Sequence, residues 1–331
     1  MFKRKLLKQN KFKRFLLKLL NIYALDKETF ELINPKLNQK AENYFKFNNK
    51  SILLSSGFLD FTRKIKKLDI FFRFSPDVDL WNSSGKWKRI IPNINKETLI
   101  KVSLISLKNS ILNFLENNDL DISLNLIYDK SSDQFNNELK NILSNDKFKI
   151  NIIKSKINGN RGTYLECCDQ AEKSDDLIFF IEDDYIFKKD SIDELLFSYS
   201  RISSQTDKDI FLTPSDYVFY YDSDYITSIF IGKNYRWRIV KETLLTFIFS
   251  KKILNIHRDK IRSVGEVNND PFEKPLHEIF NNELCLAPIK SIGYHFSRTV
   301  PSIEPDWLIV WEENYKELMA VPGGIEPPFA G

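Results

Sequence analysis

An uninterrupted apolar segment that ends in three acidic residues constrains this chain more than any other feature. Residues 177–181 are all large and apolar, and Glu182, Asp183 and Asp184 follow them directly. An unbroken apolar run of strand length predicts a strand that is covered on both faces, as the central strands of parallel sheets are. The three acids are then expected at the carboxyl end of that strand, where open α/β sheets bind their ligands.

Three adjacent carboxylates repel one another, so protonation or a bound cation must neutralise part of their charge. Mn²⁺ and Mg²⁺ accept oxygen ligands and bridge protein carboxylates to substrate phosphates, so the segment predicts one of these ions as a cofactor. The alternative is a solvated loop that leads into a helix, whose N-terminus tolerates acids. Three acids directly behind so apolar a strand favour the functional interpretation.

The segments around the acids alternate between strands and helices. Periodicity predicts strands near residues 69–74, 122–128 and 148–153, each followed by a helix, before the apolar run at 177–181. This order predicts an α/β fold with a Rossmann-like, mostly parallel sheet that is flanked by helices. Beyond the acids the pattern is mixed and includes a β-hairpin near residues 225–240.

The same pattern divides the chain into three regions. Residues 1–66 are predicted to be a basic, helical N-terminal extension, with short helices or loops over 24–66, and residues 67–300 the α/β domain. Residues 301–331 are predicted to be a C-terminal tail. The last part of this tail, residues 319–331, is rich in Pro and Gly and is expected to be disordered, because it cannot build a packed element.

The charge distribution argues against a nucleic-acid partner. The 331-residue chain has a net charge of +4, but residues 1–20 contain eight basic residues and no acid. Without those eight, 41 basic residues remain against 45 acidic ones, so the main body lacks the basic excess of a nucleic-acid binder.

The cysteines indicate the compartment. Cys167, Cys168 and Cys285 are an odd number without the spacing of a metal site, which favours a reduced, cytoplasmic chain. We predict no cleaved signal peptide and no segment long and apolar enough to span a bilayer.

The acidic motif and its surroundings resemble those of glycosyltransferases of the GT-A fold, in particular the broad family 2 type of bacterial enzymes. Their motif is usually Asp-x-Asp, and some members carry Glu-Asp-Asp, as this chain does. The resemblance covers about residues 67–300. It implies that Asp184 binds the metal that holds the diphosphate of a nucleotide sugar. It also implies that Asp183 lies near the ribose and that Glu182 faces the donor sugar.

A histidine near the end of the domain belongs to the same resemblance. His295 stands where the late histidine of such enzymes is found, which implies that it is a second metal ligand. The alternative is a half-buried histidine that is bonded to a main-chain carbonyl.

Residues near the carboxyl ends of the first strands are predicted to bind the nucleotide sugar. Arg73 and Ser75 follow the first strand, Asp129 ends the second, and Arg161 stands in a glycine-containing turn that begins a helix. Each of them alone could be an ordinary surface residue, but their shared position at one sheet edge favours a common site.

A reaction that inverts the anomeric carbon needs a general base for the acceptor hydroxyl. In the enzymes that the chain resembles, this base is an acid in a loop that leads into a helix after the metal motif. That position implies Asp270 as the catalytic residue, with Glu273 and Glu278 as rivals. The alternative is a solvated acid at a helix start.

The second half of the domain is expected to bind the acceptor. Aromatic rings stack on sugars and an Asp binds their hydroxyls, so Asp216, Tyr217 and Trp237 are candidate acceptor-binding residues. Packing within the core or the hairpin is the alternative for both aromatic residues.

These residues together predict a metal-dependent glycosyltransferase. Its partners would be a nucleoside-diphosphate sugar donor and a glycan or lipid-linked acceptor, in cell-surface polysaccharide synthesis. A nucleotidyltransferase is an alternative, although residues 75–79 lack the Gly-rich basic loop that such enzymes carry after the first strand. A catalytically inactive GT-A-like protein that binds glycans or acts as a scaffold is another, against which the intact acidic motif argues.

The N-terminus predicts peripheral contact with the inner face of the cell membrane, because residues 1–23 form a basic, loosely amphipathic helix pattern. A solvated helix that packs on the domain is the alternative. We expect removal of residues 1–20 to reduce binding to vesicles of anionic lipid in a cosedimentation assay, and not to vesicles of neutral lipid. Equal binding of the full and shortened chains to anionic vesicles would contradict the surface anchor.

Overall fold

A computed structural model of the chain describes residues 41–47, 50–56, 61–77, 94–221, 227–296, 304 and 306–320. The predicted membrane-surface helix at residues 1–20 lies outside these residues. The chain divides into two compact units, and the first contains an antiparallel hairpin of β1 (Ala41–Phe47) and β2 (Lys50–Ser56), of which only the backbone is described. Short helices or loops were predicted there, and for these two strands that prediction is wrong.

The remaining elements alternate as predicted and then become irregular. The strands are β3 Lys67–Phe74, β4 Asp121–Tyr128, β5 Lys149–Lys154, β6 Leu177–Glu182, β7 Tyr185–Phe187, β8 Phe211–Leu212, β9 Ile229–Ile231, β10 Arg236–Ile239, β11 Phe247–Ser250, β12 Cys285–Ile289 and β13 Gly293–His295. The helices are α1 Lys96–Leu115, α2 Asp133–Leu143, α3 Gly159–Ala171, α4 Ser191–Thr206, α5 Lys251–Glu266, α6 Lys274–Phe280 and α7 Trp307–Ala320.

Nine of the described strands form one sheet in the order β5-β4-β3-β6-β11-β8-β12-β10-β9. The first four are mutually parallel, and β11 then runs antiparallel to β6 and begins the mixed half. This confirms the predicted α/β class. The chain adds β4 and β5 on one side of β3 and then places β6 on the other side. The strand order therefore reverses between β3 and β6, where open sheets form a crevice at their carboxyl ends.

The central strand β6 is buried on both faces. Leu177, Phe179 and Ile181 belong to one core, which α1, α2 and α4 cover, whereas Ile178 and Phe180 belong to a second core, which α3, α5 and α6 cover. All five side chains are fully buried. This confirms the prediction from the unbroken apolar run, because side chains that alternate between two covered faces must all be apolar.

Two further segments complete this unit. The short strand β7 follows the acids directly and pairs antiparallel with β13, so that His295 lies opposite Tyr185. Helix α7 packs on α1 through a third cluster, with Trp311, Asn314 and Leu318 on its buried side. Their spacing is that of one helix face. This helix occupies part of the region that we assigned to the C-terminal tail.

Helix α1 is an exception to the expectation that no segment of the chain is long and apolar enough to span a bilayer. Judged only by its length of 20 residues and its hydropathy, this helix could cross a membrane. However, 67% of its most apolar window is buried within the protein, where Ile100, Leu104 and Ile111 contribute to the first core. Packing against the sheet therefore accounts for the apolar character of this helix.

The burial of β6 predicts the cost of truncating it. We expect Phe179→Ala to lower the free energy of unfolding by about 3–5 kcal/mol, measured by urea denaturation, because the change removes a fully buried ring and leaves a cavity. Ile256 is 61% exposed on α5, and Ile256→Ala should change this free energy by less than about 0.5 kcal/mol. A loss at Phe179 no larger than at Ile256 would contradict the central position of β6.

Candidate functional site

Arg73 and Glu182 meet where the strand order reverses. They lie opposite each other in the parallel register of β3 and β6, near the carboxyl ends of both strands. The Arg73 guanidinium donates to the Glu182 carboxylate and to the side-chain oxygen of Asn160 at the start of α3. Its side chain is only 4% exposed and lies over the Tyr164 ring at 5.8 Å. Burial opposes the charge on Arg73, but the nearby carboxylates outweigh it and raise the pKa of Arg73.

Asp183 is held by two other elements. Lys96, the first residue of α1, donates from Nζ to Asp183 Oδ1 over 2.6 Å, and the Ser75 main-chain N–H donates to Oδ2 over 3.2 Å. Burial raises the pKa of Asp183 against the effect of Lys96. Burial also opposes the charge on Lys96, but Asp183 outweighs it and raises the pKa of the ammonium. The result is a largely buried ion pair.

Asp184 is paired with His295, which β13 places beside it. The distance from His295 Nε2 to Asp184 Oδ2 is 3.2 Å, and the imidazole ring stacks on Tyr185 with centroids 4.6 Å apart. The Tyr217 ring meets the imidazole edge-on at 6.0 Å. Burial opposes the charge on Asp184, but His295 outweighs it and lowers the pKa of Asp184 to about 2. The pKa of His295 is raised, because Asp184 outweighs the opposing effect of burial.

Each of the three acids therefore has its own cationic partner. The pairs are Arg73 with Glu182, Lys96 with Asp183, and His295 with Asp184. Burial, opposed by Arg73 and reinforced by the neighbouring carboxylates, raises the pKa of Glu182 to about 7. Glu182 therefore retains its proton more readily than Asp184 does.

Glu182, Asp184 and His295 could hold a divalent cation. One candidate ligand atom from each lies within 4.8 Å of the others. Asp184 Oδ1 and His295 Nδ1 are also buried atoms without a hydrogen-bond partner among the described residues. Carboxylates suit Mn²⁺ and Mg²⁺, and an imidazole suits a transition metal. The donor set therefore fits the predicted cofactor, and Mn²⁺ better than Mg²⁺.

The other predicted nucleotide-binding residues have different positions. The Ser75 hydroxyl donates to the Asp129 carbonyl over 2.9 Å, and the Asp129 carboxylate accepts the Gly159 N–H at the start of α3 over 2.6 Å. Ser75 and Asp129 thus belong to the same strand edge as the acids. Arg161 instead donates to the Gly265 carbonyl over 2.7 Å and joins α3 to the end of α5. Its contacts give no support to nucleotide binding.

The predicted acceptor-binding residues are buried. Asp216 forms an ion pair with Arg238, and the Tyr217 hydroxyl bonds to that of Tyr185. Trp237 donates its indole N–H to a carboxylate of α4 over 3.1 Å. Their exposed fractions are 2%, 2% and 0%, so no ring face is open to a sugar. In this structure all three residues belong to the protein interior, and direct acceptor contact has no support.

Glu273, one of the predicted bases, holds a loop next to the acids. Its carboxylate accepts hydrogen bonds of 3.1–3.2 Å from three consecutive main-chain N–H groups, those of residues 243–245. Two of these residues, both leucines, have φ of 48° and 59°, a region that leucine rarely adopts. The loop continues to Thr246, whose hydroxyl accepts the Glu182 N–H over 3.2 Å. This geometry gives Glu273 a positioning role and no support for a catalytic one.

The rival bases are in a different environment. Asp270 and Glu278 are both exposed, the first before α6 and the second within it. His277 lies one turn after Glu273, with its Nε2 3.2 Å from that carboxylate, and Glu242 completes a second group of potential ligands. Because the Glu273 oxygens already accept several protein donors, we interpret this second group as structural.

Lys96 and Asn160 are site residues that the sequence analysis does not include. Lys96 is the first residue of α1. A lysine in the first turn of a helix is unfavourable, because the helix dipole places positive charge there. This unfavourable position is the sequence signal that could identify Lys96 as a site residue. For Asn160 the sequence carries no such signal.

The fold and the site define an α/β protein with a cation-paired acidic cluster at its strand ends. No protein family and no curated protein matches the sequence. Similar solved structures include residues 1–349 of S. aureus TarS, with a TM-score of 0.45 and 11% identity over 77% of this chain and 66% of that one.

Two further solved structures have comparable similarity. UDP-glucose pyrophosphorylase from Acinetobacter baumanii has a TM-score of 0.43 and 11% identity over 78% of this chain and 95% of that one. Glycosyltransferase GlyE of Streptococcus pneumoniae TIGR4 has a TM-score of 0.41 and 10% identity over 77% of this chain and 63% of that one. The chain thus spans less than two thirds of the TarS fragment and of GlyE. Similarity this distant assigns no role to any residue of this chain.

The pair of His277 and Glu273 predicts a pH dependence of stability. The hydrogen bond to Glu273 raises the pKa of His277 above its ordinary value of 6.5. Its stabilisation is therefore fully present below pH 6.5 and is lost as pH rises through the folded-state pKa. Between about pH 5.5 and about pH 8.5 we expect the wild type to lose more stability than His277→Gln. The difference should be less than about 1 kcal/mol, because the partly exposed histidine is screened by solvent.

Urea denaturation at the two pH values measures this difference. Lys274→Gln, an exposed change in the same helix, should follow the wild type. Parallel pH dependence of His277→Gln and the wild type would contradict the stabilising role of the pair.

Proposed function

We propose that this chain transfers a sugar from a nucleoside-diphosphate sugar to a hydroxyl of a glycan or lipid-linked acceptor in cell-surface polysaccharide synthesis. The observation that carries the proposal is the acidic cluster at the point of strand reversal. A buried oxygen of Asp184 has no hydrogen-bond partner in the described part of the chain, and His295 lies beside that carboxylate. Open α/β sheets bind ligands at such crevices, and strand-end carboxylates with adjacent cations suit a metal-bound diphosphate.

In this proposal the site residues have distinct roles. Asp184 and His295, with Glu182, would hold Mn²⁺ or Mg²⁺, which when bound supplies positive charge for the departing diphosphate. Asp183 and Ser75 would bind the nucleotide. Arg73 is buried against Glu182 and donates to its carboxylate, and it would keep that carboxylate facing the donor sugar.

The reaction breaks the bond between the anomeric carbon and the β-phosphate oxygen and joins that carbon to the acceptor oxygen. The hydroxyl proton must pass to a base if the configuration inverts. Asp270 is exposed, whereas both oxygens of Glu273 accept protein donors, so we propose Asp270 as this base. We propose that the enzyme works in the cytoplasm, at the inner face of the membrane.

The proposal predicts metal-dependent nucleotide binding. In a thermal-shift screen, at least one nucleoside diphosphate should raise the melting temperature with Mn²⁺ present and much less without it, because the ligand binds only the folded state. Asp184→Asn keeps the size of the side chain but removes its charge and should abolish the metal-dependent part of the shift. If no nucleoside diphosphate gives a metal-dependent shift in the wild type, the proposal fails.

Asp176 provides a matched control at the opposite end of β6. Its carboxylate also pairs with a cation, Arg63, and accepts the Lys66 N–H over 2.6 Å. Asp176→Asn should lower the melting temperature of the free protein but leave the metal-dependent shift intact. Loss of the shift in both variants would indicate general destabilisation rather than a site at Asp184.

The product identifies the type of transfer. Glycosyl transfer releases a nucleoside diphosphate, whereas nucleotidyl transfer from a nucleoside triphosphate releases pyrophosphate. In the glycosyl-transfer assay, Asp270→Asn should prevent turnover while nucleotide binding persists. Pyrophosphate release as the main activity would replace the present proposal with the nucleotidyltransferase alternative.

A further inference from the structure

Lys96 occupies a position that is unfavourable for a cation. It is the first residue of α1, directly after the N-cap Asn95, whose side chain accepts the Thr98 N–H over 2.7 Å. The positive end of the helix dipole destabilises a cation there. The Lys96 side chain is also only 13% exposed, so that burial adds to the cost.

The contact that holds Lys96 belongs to the acidic cluster. Its ammonium donates to Asp183 Oδ1 over 2.6 Å, and in the chain Asp183 is flanked by the two carboxylates that could hold a metal, Glu182 and Asp184. An ammonium has three N–H donors, and this bond uses one of them. A cation is thus directed at the place where the proposed donor would bring its negative charge.

We propose that Lys96 binds the diphosphate of the donor, and that Asp183 holds the ammonium ready for it. This inference rests on the proposed function, which supplies the diphosphate. A flexible lysine stem allows the ammonium to contact Asp183 and a phosphate oxygen together or in turn. When a hydroxyl or N–H of the nucleotide then donates to Asp183 Oδ1, both partners of the original pair remain satisfied.

The competing explanation is that Lys96 only neutralises Asp183. The two explanations differ once Asp183 has no charge. If Lys96 contacts the diphosphate, its removal still weakens binding in an Asp183→Asn background. If it acts only through Asp183, its removal then has no effect. A double-mutant cycle on these two residues therefore separates them.

The experiment measures the dissociation constant of the nucleoside diphosphate that gives the largest thermal shift, by titration calorimetry with Mn²⁺. Lys96→Met should weaken binding by about tenfold to a hundredfold, the range of one charge-assisted hydrogen bond. In the Asp183→Asn background, Lys96→Met should again weaken it by at least about tenfold. The double variant leaves no buried charge unpaired at this contact, so it remains informative if Lys96→Met alone folds poorly.

Lys101 gives the matched control in the same helix. Its side chain is 9% exposed, and its ammonium lies 2.7 Å from Glu138 and over the Phe135 ring. Lys101→Met should leave the dissociation constant within about threefold of the wild type. If Lys101→Met weakens binding as much as Lys96→Met does, the inference is overturned, because loss of any buried lysine of α1 would then suffice.

The outcomes distinguish this inference from the proposed function. If the wild-type protein binds no nucleoside diphosphate, both the proposed function and the inference are contradicted. If the wild-type protein binds a nucleoside diphosphate but Lys96→Met does not weaken that binding in the Asp183→Asn background, the inference alone is overturned.

Discussion

Three consecutive carboxylates at the end of a fully buried strand cannot remain without countercharge. An unpaired charge in such a place costs several kcal/mol, on the order of a protein's whole net stability. The fold supplies one cation to each acid from a separate element, namely Arg73 from β3, Lys96 from α1 and His295 from β13. These partners lie 109, 87 and 111 residues from their acids. The cluster therefore forms only when the sheet, the first helix and the end of the domain are assembled together.

In ion pairs of this kind, a charged group of a ligand can replace one of the two partners. A buried ion pair contributes little net stability, because the desolvation of both charges offsets their attraction. A ligand that brings both signs of charge, as a metal-bound diphosphate does, can replace such partners without leaving any group uncompensated. Asp184 Oδ1 and His295 Nδ1 are buried and have no hydrogen-bond partner among the residues that the structure describes, so those residues alone do not saturate the cluster. The same electrostatics that assemble the fold thus leave room for a ligand.

Periodicity predicted the alternating strands and helices and the burial of β6, because both depend on local pattern. It could not predict the strand order, on which the pairing of Arg73 with Glu182 depends. The chemical type of a side chain also does not reveal which group it contacts in the folded protein. Arg161 and Trp237 carry groups that suit a nucleotide or a sugar, but one donates to a main-chain carbonyl and the other lies in the core. A position at a strand end thus correctly placed Arg73 and Ser75 at the edge that carries the acids. The chemical type of Trp237 did not indicate its place in the core.

The main chain of the site is held by hydrogen bonds from several elements. Glu273 fixes the loop at 243–245 with three N–H bonds, and Thr246 in turn accepts the Glu182 N–H. On the other side, β7 and β13 hold Asp184 and His295 through their ladder and through the Phe296 N–H, which donates to the Asp184 carbonyl over 2.7 Å. Preorganised backbone with exchangeable side-chain partners allows charge to be redistributed without refolding the site. Such support of the backbone is what the proposed reaction, which expels a diphosphate, would require.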